Sequence, residues 1–138
     1  MLTTTFEQEA WVLYVDGSSN KKGSEAGIVL EGPGSFQLEM ALKFEFKTSN
    51  NQVEYEALIA GLIMARDMGA ENVICKSDSE LAIEHKKGEY QVKDPLLLRY
   101  YHKVLNIMQS FSNTEIKHMP REQNSRTNSF SKLESQRR

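Results

Sequence analysis

The stretch WVLYVDGSSN, residues 11–20, decides the fold class because it is apolar on both faces of a strand and contains a carboxylate near its end. Successive side chains alternate across a strand, so Trp11, Leu13 and Val15 share one face while positions 12 and 14 place apolar groups on the other. Two apolar faces are typical of a central strand covered by helices on both sides. We therefore predict a central strand that carries Asp16 to the edge of a sheet. The alternative is that Asp16-Gly17 is only a turn, since Asp-Gly is a common hairpin signal.

Length and composition predict one globular domain. The chain has 138 residues, of which 39% are hydrophobic, and this is enough for a core without disulfides. We place the domain at residues 10–134, with a loose N-terminal arm at 1–9 and a C-terminal tail at 135–138. The single cysteine, Cys75, lies in an apolar run and is interpreted as a core residue in a reducing compartment.

Charge and hydropathy limit the partners and the location. No stretch has the length of a membrane span, and the N-terminus lacks the order of a signal peptide, so we expect an intracellular protein, cytoplasmic or nuclear, that is not secreted. The net charge of -2 argues against a strong, self-sufficient nucleic-acid binder. Binding to nucleic acid must then be local or shared with a partner domain.

The periodicities along the chain predict an α/β domain. Three strands joined by short turns form an antiparallel meander, and helical and extended segments alternate after them. The predicted strands are 11–16, 27–30, 36–46, 73–76 and 114–118, and the predicted helices are 50–69, 81–87, 94–111 and 125–133. A right-handed crossover through the first helix makes strand 73–76 parallel to strand 11–16. The carboxyl ends of these two strands then meet where the strand order reverses, which is where open α/β sheets bind ligands.

Three acids are predicted to converge at that edge. Asp16 and Asp78 are at the ends of the two neighbouring strands, and Glu54 lies on the buried stripe of the first helix, whereas Glu56 does not. The alternative for Asp78 is a helix N-cap. The alternative for Glu54 is a capping box with Asn51. Gathered carboxylates repel one another unless a cation neutralises them, and their hard oxygens suit Mg²⁺ or Mn²⁺. Two such ions about 4 Å apart can activate water for phosphodiester cleavage, which predicts a metal-dependent phosphoryl hydrolase.

Several motifs in order resemble the ribonuclease H family. They are YVDGSS (14–19), SNNQVEYEALIAGL (49–62), KSDSEL (76–81), KGEYQVKDPLLLRYY (87–101) and IKHMPREQN (116–124). The resemblance is closest to the ribonuclease H domains of plant Ty3-like long-terminal-repeat retrotransposons, which follow a reverse transcriptase. It implies a ribonuclease H-like fold with a five-stranded mixed sheet, three antiparallel strands then two parallel, flanked by helices. The implied activity is cleavage of the RNA strand of RNA–DNA hybrids by two divalent cations, Mg or Mn.

The resemblance also implies roles for individual residues. Asp16, Glu54 and Asp78 match the metal-binding acids, and His118 matches a mobile catalytic histidine, with a surface histidine as the alternative. The residues that match substrate-binding positions are Ser18, Asn50, Asn51, Ser79 and Asn124; the two adjacent asparagines are expected at the hybrid's minor groove, where amides can test for the 2′-hydroxyl. The expected partners are the hybrid and a fused or associated reverse transcriptase domain, and the chain is expected to be a monomer.

Two departures from the family pattern predict a weakened enzyme. Asn128 stands where the family has its fourth acid, so one ligand loses its charge while it keeps a carbonyl oxygen. Glu80 replaces a common glutamine and adds a negative charge where phosphates would lie. Some members of the family also hold hybrids with a basic, Trp-bearing protrusion. This chain has no counterpart of it and carries only Lys86, Lys87 and Lys93 in that part of the sequence. The alternative function is a catalytically silent domain that binds nucleic acid or protein.

Overall fold

The computed structural model describes residues 10–20, 23–44, 49–77 and 94–119. The strands are β1 (Trp11–Asn20), β2 (Gly23–Glu31), β3 (Gln37–Phe44), β4 (Asn72–Ser77) and β5 (Asn113–His118), and the helices are α1 (Asn50–Asp67) and α2 (Pro95–Met108), with a 3₁₀ turn at Pro33–Ser35. Outside the described residues lie the predicted helices 81–87 and 125–133, the arm at 1–9 and the tail at 135–138. Neither described helix is long and apolar enough to cross a membrane.

The five strands form one mixed sheet in the order β3-β2-β1-β4-β5, so β1 is central as predicted. β1 is antiparallel to β2 and parallel to β4, and β4 is parallel to β5. Three antiparallel strands are therefore followed by two parallel ones, which confirms the predicted fold class. The crossover through α1 brings the carboxyl end of β4 beside the second half of β1, where Ser77 pairs with Val15, and β1 continues for five residues beyond this pair.

The interpretation of Asp16-Gly17 as a turn is wrong. Asp16 pairs with Gly27 and Gly17 pairs with Ala26, and the ladder continues to the Asn20–Gly23 pair. The first two strands form one long hairpin that is longer than the predicted strands 11–16 and 27–30. Asp-Gly lies inside a strand here because its backbone groups take part in a ladder on both sides of the dipeptide.

Helix α1 packs across β1 at short range. Leu13, Val53 and Leu62 are fully buried between helix and sheet. Gly61 allows this approach, because a Cβ built there would lie 2.7 Å from Leu13 Cδ1. Cys75 is buried in the same core, and this burial raises the pKa of its thiol to about 12. A thiol with so high a pKa is a core residue, as predicted, and not a nucleophile.

The N-terminus of α1 differs from the capping alternative considered above. Ser49 is the N-cap: its Oγ accepts from the Gln52 N–H at 3.2 Å, and the Gln52 side chain accepts from the Ser49 N–H at 3.2 Å. A capping box is thus present, but Ser49 and Gln52 form it, and not Asn51 and Glu54. The carboxylate of Glu54 is left available for contacts with the sheet.

Helix α2 begins as predicted and ends earlier. Asp94 is its N-cap, accepting from the Leu96 N–H at 2.8 Å, and Pro95 occupies the first turn. The helix ends at Met108 and not at Phe111, because the Ser110 and Phe111 amides bond carbonyls only three residues back, which tightens the chain into a turn. Phe111 still packs in the core.

Candidate active site

Glu54 joins the carboxyl end of β4 to the neighbouring part of β1. Its side chain is buried, with 4% exposed. Oε1 accepts a hydrogen bond from the Gly17 N–H of β1 at 2.7 Å, and Oε2 accepts one from the Ser77 hydroxyl of β4 at 3.2 Å. Both oxygens of one carboxylate therefore have donors from different strands, which restrains its orientation as well as its position.

Gly17 makes this contact possible because it has no side chain. A Cβ at position 17 would lie 2.8 Å from Val53 Cγ1 and 3.0 Å from Glu54 Oε1. The backbone of β1 and the first turns of α1 could not approach so closely with any other residue. Sequence reasoning missed this role, since the only signal was a glycine two positions after an inward-facing valine.

Asp16 directly precedes Gly17 in β1. Its side chain is 9% exposed, and the amide that follows it is the one bonded to Glu54. The backbone on either side of the Asp16–Gly17 peptide is thus close to Glu54, and the convergence of the two carboxylates stays a prediction. The described residues by themselves hold no group of three or more His, Cys, Asp or Glu side chains placed to bind one metal ion. The third predicted acid, Asp78, follows Ser77 in the sequence and lies outside those residues.

The other predicted site residues divide into two sets. Asn51 is half-buried in the first turn of α1, and His118 is exposed at the end of β5, where its Cα pairs with that of Ser77. Ser18 lies in β1 and Asn50 in α1, but their side chains are outside the described part of the structure. Outside the described residues altogether are Ser79, Asn124 and Asn128, together with Glu80, Lys86, Lys87 and Lys93.

Glu56 differs from Glu54 in the way the helical period predicts. It is half-buried and faces α2, where its Oε2 accepts a hydrogen bond from the Tyr100 hydroxyl at 2.6 Å. This bond to a carboxylate raises the pKa of Tyr100 to about 12. The Tyr100 ring also stacks on Tyr55, with centroids 5.4 Å apart. The contact between the two helices was not predicted from the sequence.

The donors at this edge have the chemistry of a site for a hard divalent cation. Asp16 and Glu54 present carboxylate oxygens, which Mg²⁺ prefers. Each Glu54 oxygen accepts a hydrogen bond, and a carboxylate oxygen has two lone pairs with which it can also bind an ion. Beneath the carboxylate, a cavity of about 10 Å³ is lined mainly by apolar side chains, among them Val15, Leu58 and Ile116, so any ion would approach from the open edge.

Comparison with known proteins agrees with this geometry. A family model described as reverse transcriptase-like matches residues 14–133. Ribonuclease HI of Halobacterium salinarum is 30% identical over 120 residues, which are 85% of this chain and 60% of that protein. This chain thus spans less than two thirds of the length of that relative.

Solved structures share the fold over most of the chain. The crystal structure of RNase H1 from Halobacterium salinarum has a TM-score of 0.77 and 29% identity, covering 87% of this chain and 92% of that one. LC11-RNase H1, crystallised in complex with an RNA/DNA hybrid, has a TM-score of 0.74 and 29% identity, covering 86% and 91%. A foamy viral protease-reverse transcriptase, 14% identical with a TM-score of 0.72, shares the fold over 88% of this chain and 19% of that one. The chain therefore belongs to the reverse transcriptase-like family and is a domain of the ribonuclease H type.

Proposed function

We propose that this chain is a ribonuclease H that hydrolyses the RNA strand of RNA–DNA hybrids with the help of divalent metal ions. The observation that carries the proposal is the buried Glu54 carboxylate, held between the end of β4 and the β1 amide that directly follows Asp16. The relatives named ribonuclease H, one of them crystallised with an RNA/DNA hybrid, support the same substrate.

The residues that would hold the metal are Asp16, Glu54 and Asp78, with Asn128 as a weak fourth ligand. Two divalent cations, Mg²⁺ or Mn²⁺, would supply an activated water and would stabilise charge on the leaving oxygen. The protein prepares the site before binding, because the Gly17 amide and the Ser77 hydroxyl hold Glu54 in one orientation. A fixed ligand loses little side-chain freedom when it binds an ion.

The proposed substrate contacts rest on the resemblance of the sequence motifs. We propose that the Asn51 amide, half-buried in the first turn of α1, tests for the 2′-hydroxyl in the minor groove, together with Asn50. Ser18, Ser79 and Asn124 are proposed as further contacts to the strand. His118 is proposed to carry a proton near the departing product, and its exposure at the end of β5 leaves it accessible for this role.

We also propose that the domain works beside a reverse transcriptase, as a monomer, within a retrotransposon polyprotein of the plant Ty3-like type. The support for the association is the reverse transcriptase-like family match. The support for the retrotransposon class is the resemblance of motifs such as KSDSEL and IKHMPREQN.

The test is cleavage of a labelled RNA–DNA hybrid with Mg²⁺ and with Mn²⁺. Asp16→Asn should abolish cleavage and leave the fold intact or more stable, because it reduces repulsion within the acidic site. Glu54→Gln should lower activity far more than the matched change Glu56→Gln, since Glu56 contacts Tyr100 on the side facing α2. Cleavage at the wild-type rate by Asp16→Asn would refute the metal assignment, and equal effects at 54 and 56 would refute the role of Glu54.

The second candidate function is a silent domain that binds without cutting. Asn128 and Glu80 favour it, because each makes the site a poorer place for a metal ion or a phosphate. If the domain is instead a weakened enzyme, Asn128→Asp should raise cleavage most at low Mg²⁺, and the unmodified domain should prefer Mn²⁺. Hybrid binding without products, with either ion and in both proteins, would favour the silent domain.

A further inference from the structure

A second cavity, of about 190 Å³, opens where β4 and β5 end. The described residues that line it are Lys76, Lys117, His118 and Met119. It lies on the Asp16 side of the sheet, because Lys76 is the Cα partner of Tyr14, its ammonium lies 5.8 Å from the Tyr14 ring, and Asp16 is two residues further along the same face of β1. The cationic cavity and Asp16 are therefore on one face of the sheet.

The two lysines are held next to each other by strand register. Lys76 and Lys117 are Cα partners on adjacent parallel strands, so their side chains leave the same face of the sheet about 4.8 Å apart at the backbone. Like charges in such a pair repel unless an anion lies between them. The described lining of the cavity contributes no carboxylate.

The contacts already made by the lysines are weak. Lys117 lies 3.9 Å from Glu115, and both side chains are more than 40% exposed, a geometry in which an ion pair adds little. The Lys76 ammonium lies 5.8 Å from the centroid of the Tyr14 ring, near the outer limit for a cation–π contact. An anion entering the cavity would not have to displace a strong partner from either lysine.

We propose that this cationic pocket, Lys76 and Lys117 with His118 at its rim, binds a backbone phosphate of a nucleic-acid strand whose neighbouring phosphate lies at the acidic site. Lysine binds phosphate as a point charge, and successive phosphates along one strand follow every ~3.4 Å of helix axis. The net charge of the chain is -2, so two neighbouring lysines at this position do not reflect a general excess of basic residues. The inference rests on the proposed function, since it takes the acidic site as the place where a nucleic-acid strand lies.

The test measures binding and not cleavage. A fluorescent RNA–DNA hybrid is titrated in EDTA, which keeps it uncut, at several salt concentrations between about 50 and 200 mM. The variant is Lys76→Gln with Lys117→Gln. The matched control is Lys43→Gln with Lys103→Gln, which removes the same charge from exposed positions on β3 and α2. Thermal unfolding of each protein checks that the fold is retained.

The expected result is a change in the salt dependence of affinity. Each lost phosphate contact should lower the slope of log K against log salt by about 1, so the Lys76/Lys117 variant should lose about 1 to 2, and the control should keep the wild-type slope. Equal slopes in the variant and the wild type, or an equal loss in the control, would overturn the pocket. No binding of hybrid by the wild-type protein would overturn it as well.

The same proteins separate this inference from the proposed function. A slope difference confined to Lys76 and Lys117, in a protein that cleaves nothing with Mg²⁺ or Mn²⁺, would keep the pocket and refute the ribonuclease. Metal-dependent cleavage with unchanged slopes would keep the ribonuclease and refute the pocket.

Discussion

Replacing Gly17 by alanine should damage the site more than it damages the fold. The new Cβ would lie 2.8 Å from Val53 Cγ1 and 3.0 Å from Glu54 Oε1. Val53 is fully buried and β-branched, so it cannot rotate away cheaply. The Glu54 carboxylate is the flexible end of a side chain and will move first, which lengthens its 2.7 Å hydrogen bond to the Gly17 amide.

The expected losses of stability and of cleavage rate differ, because Val53 cannot move cheaply whereas the Glu54 carboxylate can. Overpacking a well-packed core costs about 1–3 kcal/mol of unfolding free energy. A displacement of about 1 Å in a catalytic group can lower the rate by about 100-fold. Gly17 is not among the described glycines with positive φ, so alanine adds no backbone strain of its own. We therefore expect Gly17→Ala to fold at 25 °C and to cleave hybrid at about 1% of the wild-type rate.

Gly61→Ala is the matched control. Its Cβ would lie 2.7 Å from Leu13 Cδ1, a clash of the same size in the same helix–sheet interface. Alanine in a helix offsets this by about 1 kcal/mol relative to glycine. Urea denaturation gives the stability of both variants, and cleavage under single-turnover conditions gives the rate per folded molecule. Loss of rate in proportion to loss of stability, equal in both variants, would refute the reasoning about Glu54.

The remaining predictions concern neighbouring hydrogen bonds and protons. Ser77→Ala should weaken direct Mn²⁺ binding about 10–100-fold, because it removes a hydrogen-bond donor to the proposed metal ligand Glu54, whereas Ser77→Thr should weaken it less. The control is Thr114→Val, which removes a buried hydroxyl that makes no hydrogen bond within the described part of the chain. A similar loss of Mn²⁺ affinity in this control would contradict the role of Ser77. Tyr100→Phe should lower the unfolding free energy by about 1–2 kcal/mol in urea denaturation, because it removes the hydrogen bond to Glu56. Glu56→Gln should lower it less, because the amide oxygen of Gln still accepts from the Tyr100 hydroxyl. An unchanged unfolding free energy in Tyr100→Phe would mean that this hydrogen bond adds nothing to stability. The unfolding free energy should fall as pH rises from 9 towards 12. In the folded chain Cys75 and Tyr100 have pKa values of about 12, whereas their ordinary values are 9.0 and 10.0. The unfolded chain therefore releases these protons at lower pH than the folded chain, which favours unfolding as pH rises. In Tyr100→Phe the fall between pH 10 and 12 should be smaller, and urea denaturation across this range measures it.

Local pattern in the sequence determined much of the architecture. Two apolar faces identified β1 as the central strand, and helical period separated the buried Glu54 from the half-buried Glu56. The start of α2 at Asp94-Pro95 was also readable. These features depend on contacts within a few residues or on which face of an element is buried, and periodicity in the sequence records both.

Only the tertiary structure decided how the site is held together. Nothing local distinguishes the glycine of an Asp-Gly turn from Gly17, which lies within a strand and bonds a helix 37 residues away. The Ser77–Glu54 and Tyr100–Glu56 bonds join residues 23 and 44 positions apart. Each depends on how far α1 approaches the sheet and on the register of the strands beneath it. Those distances are set by packing across the whole interface, including the clearance at Gly61, and periodicity reports direction but not distance.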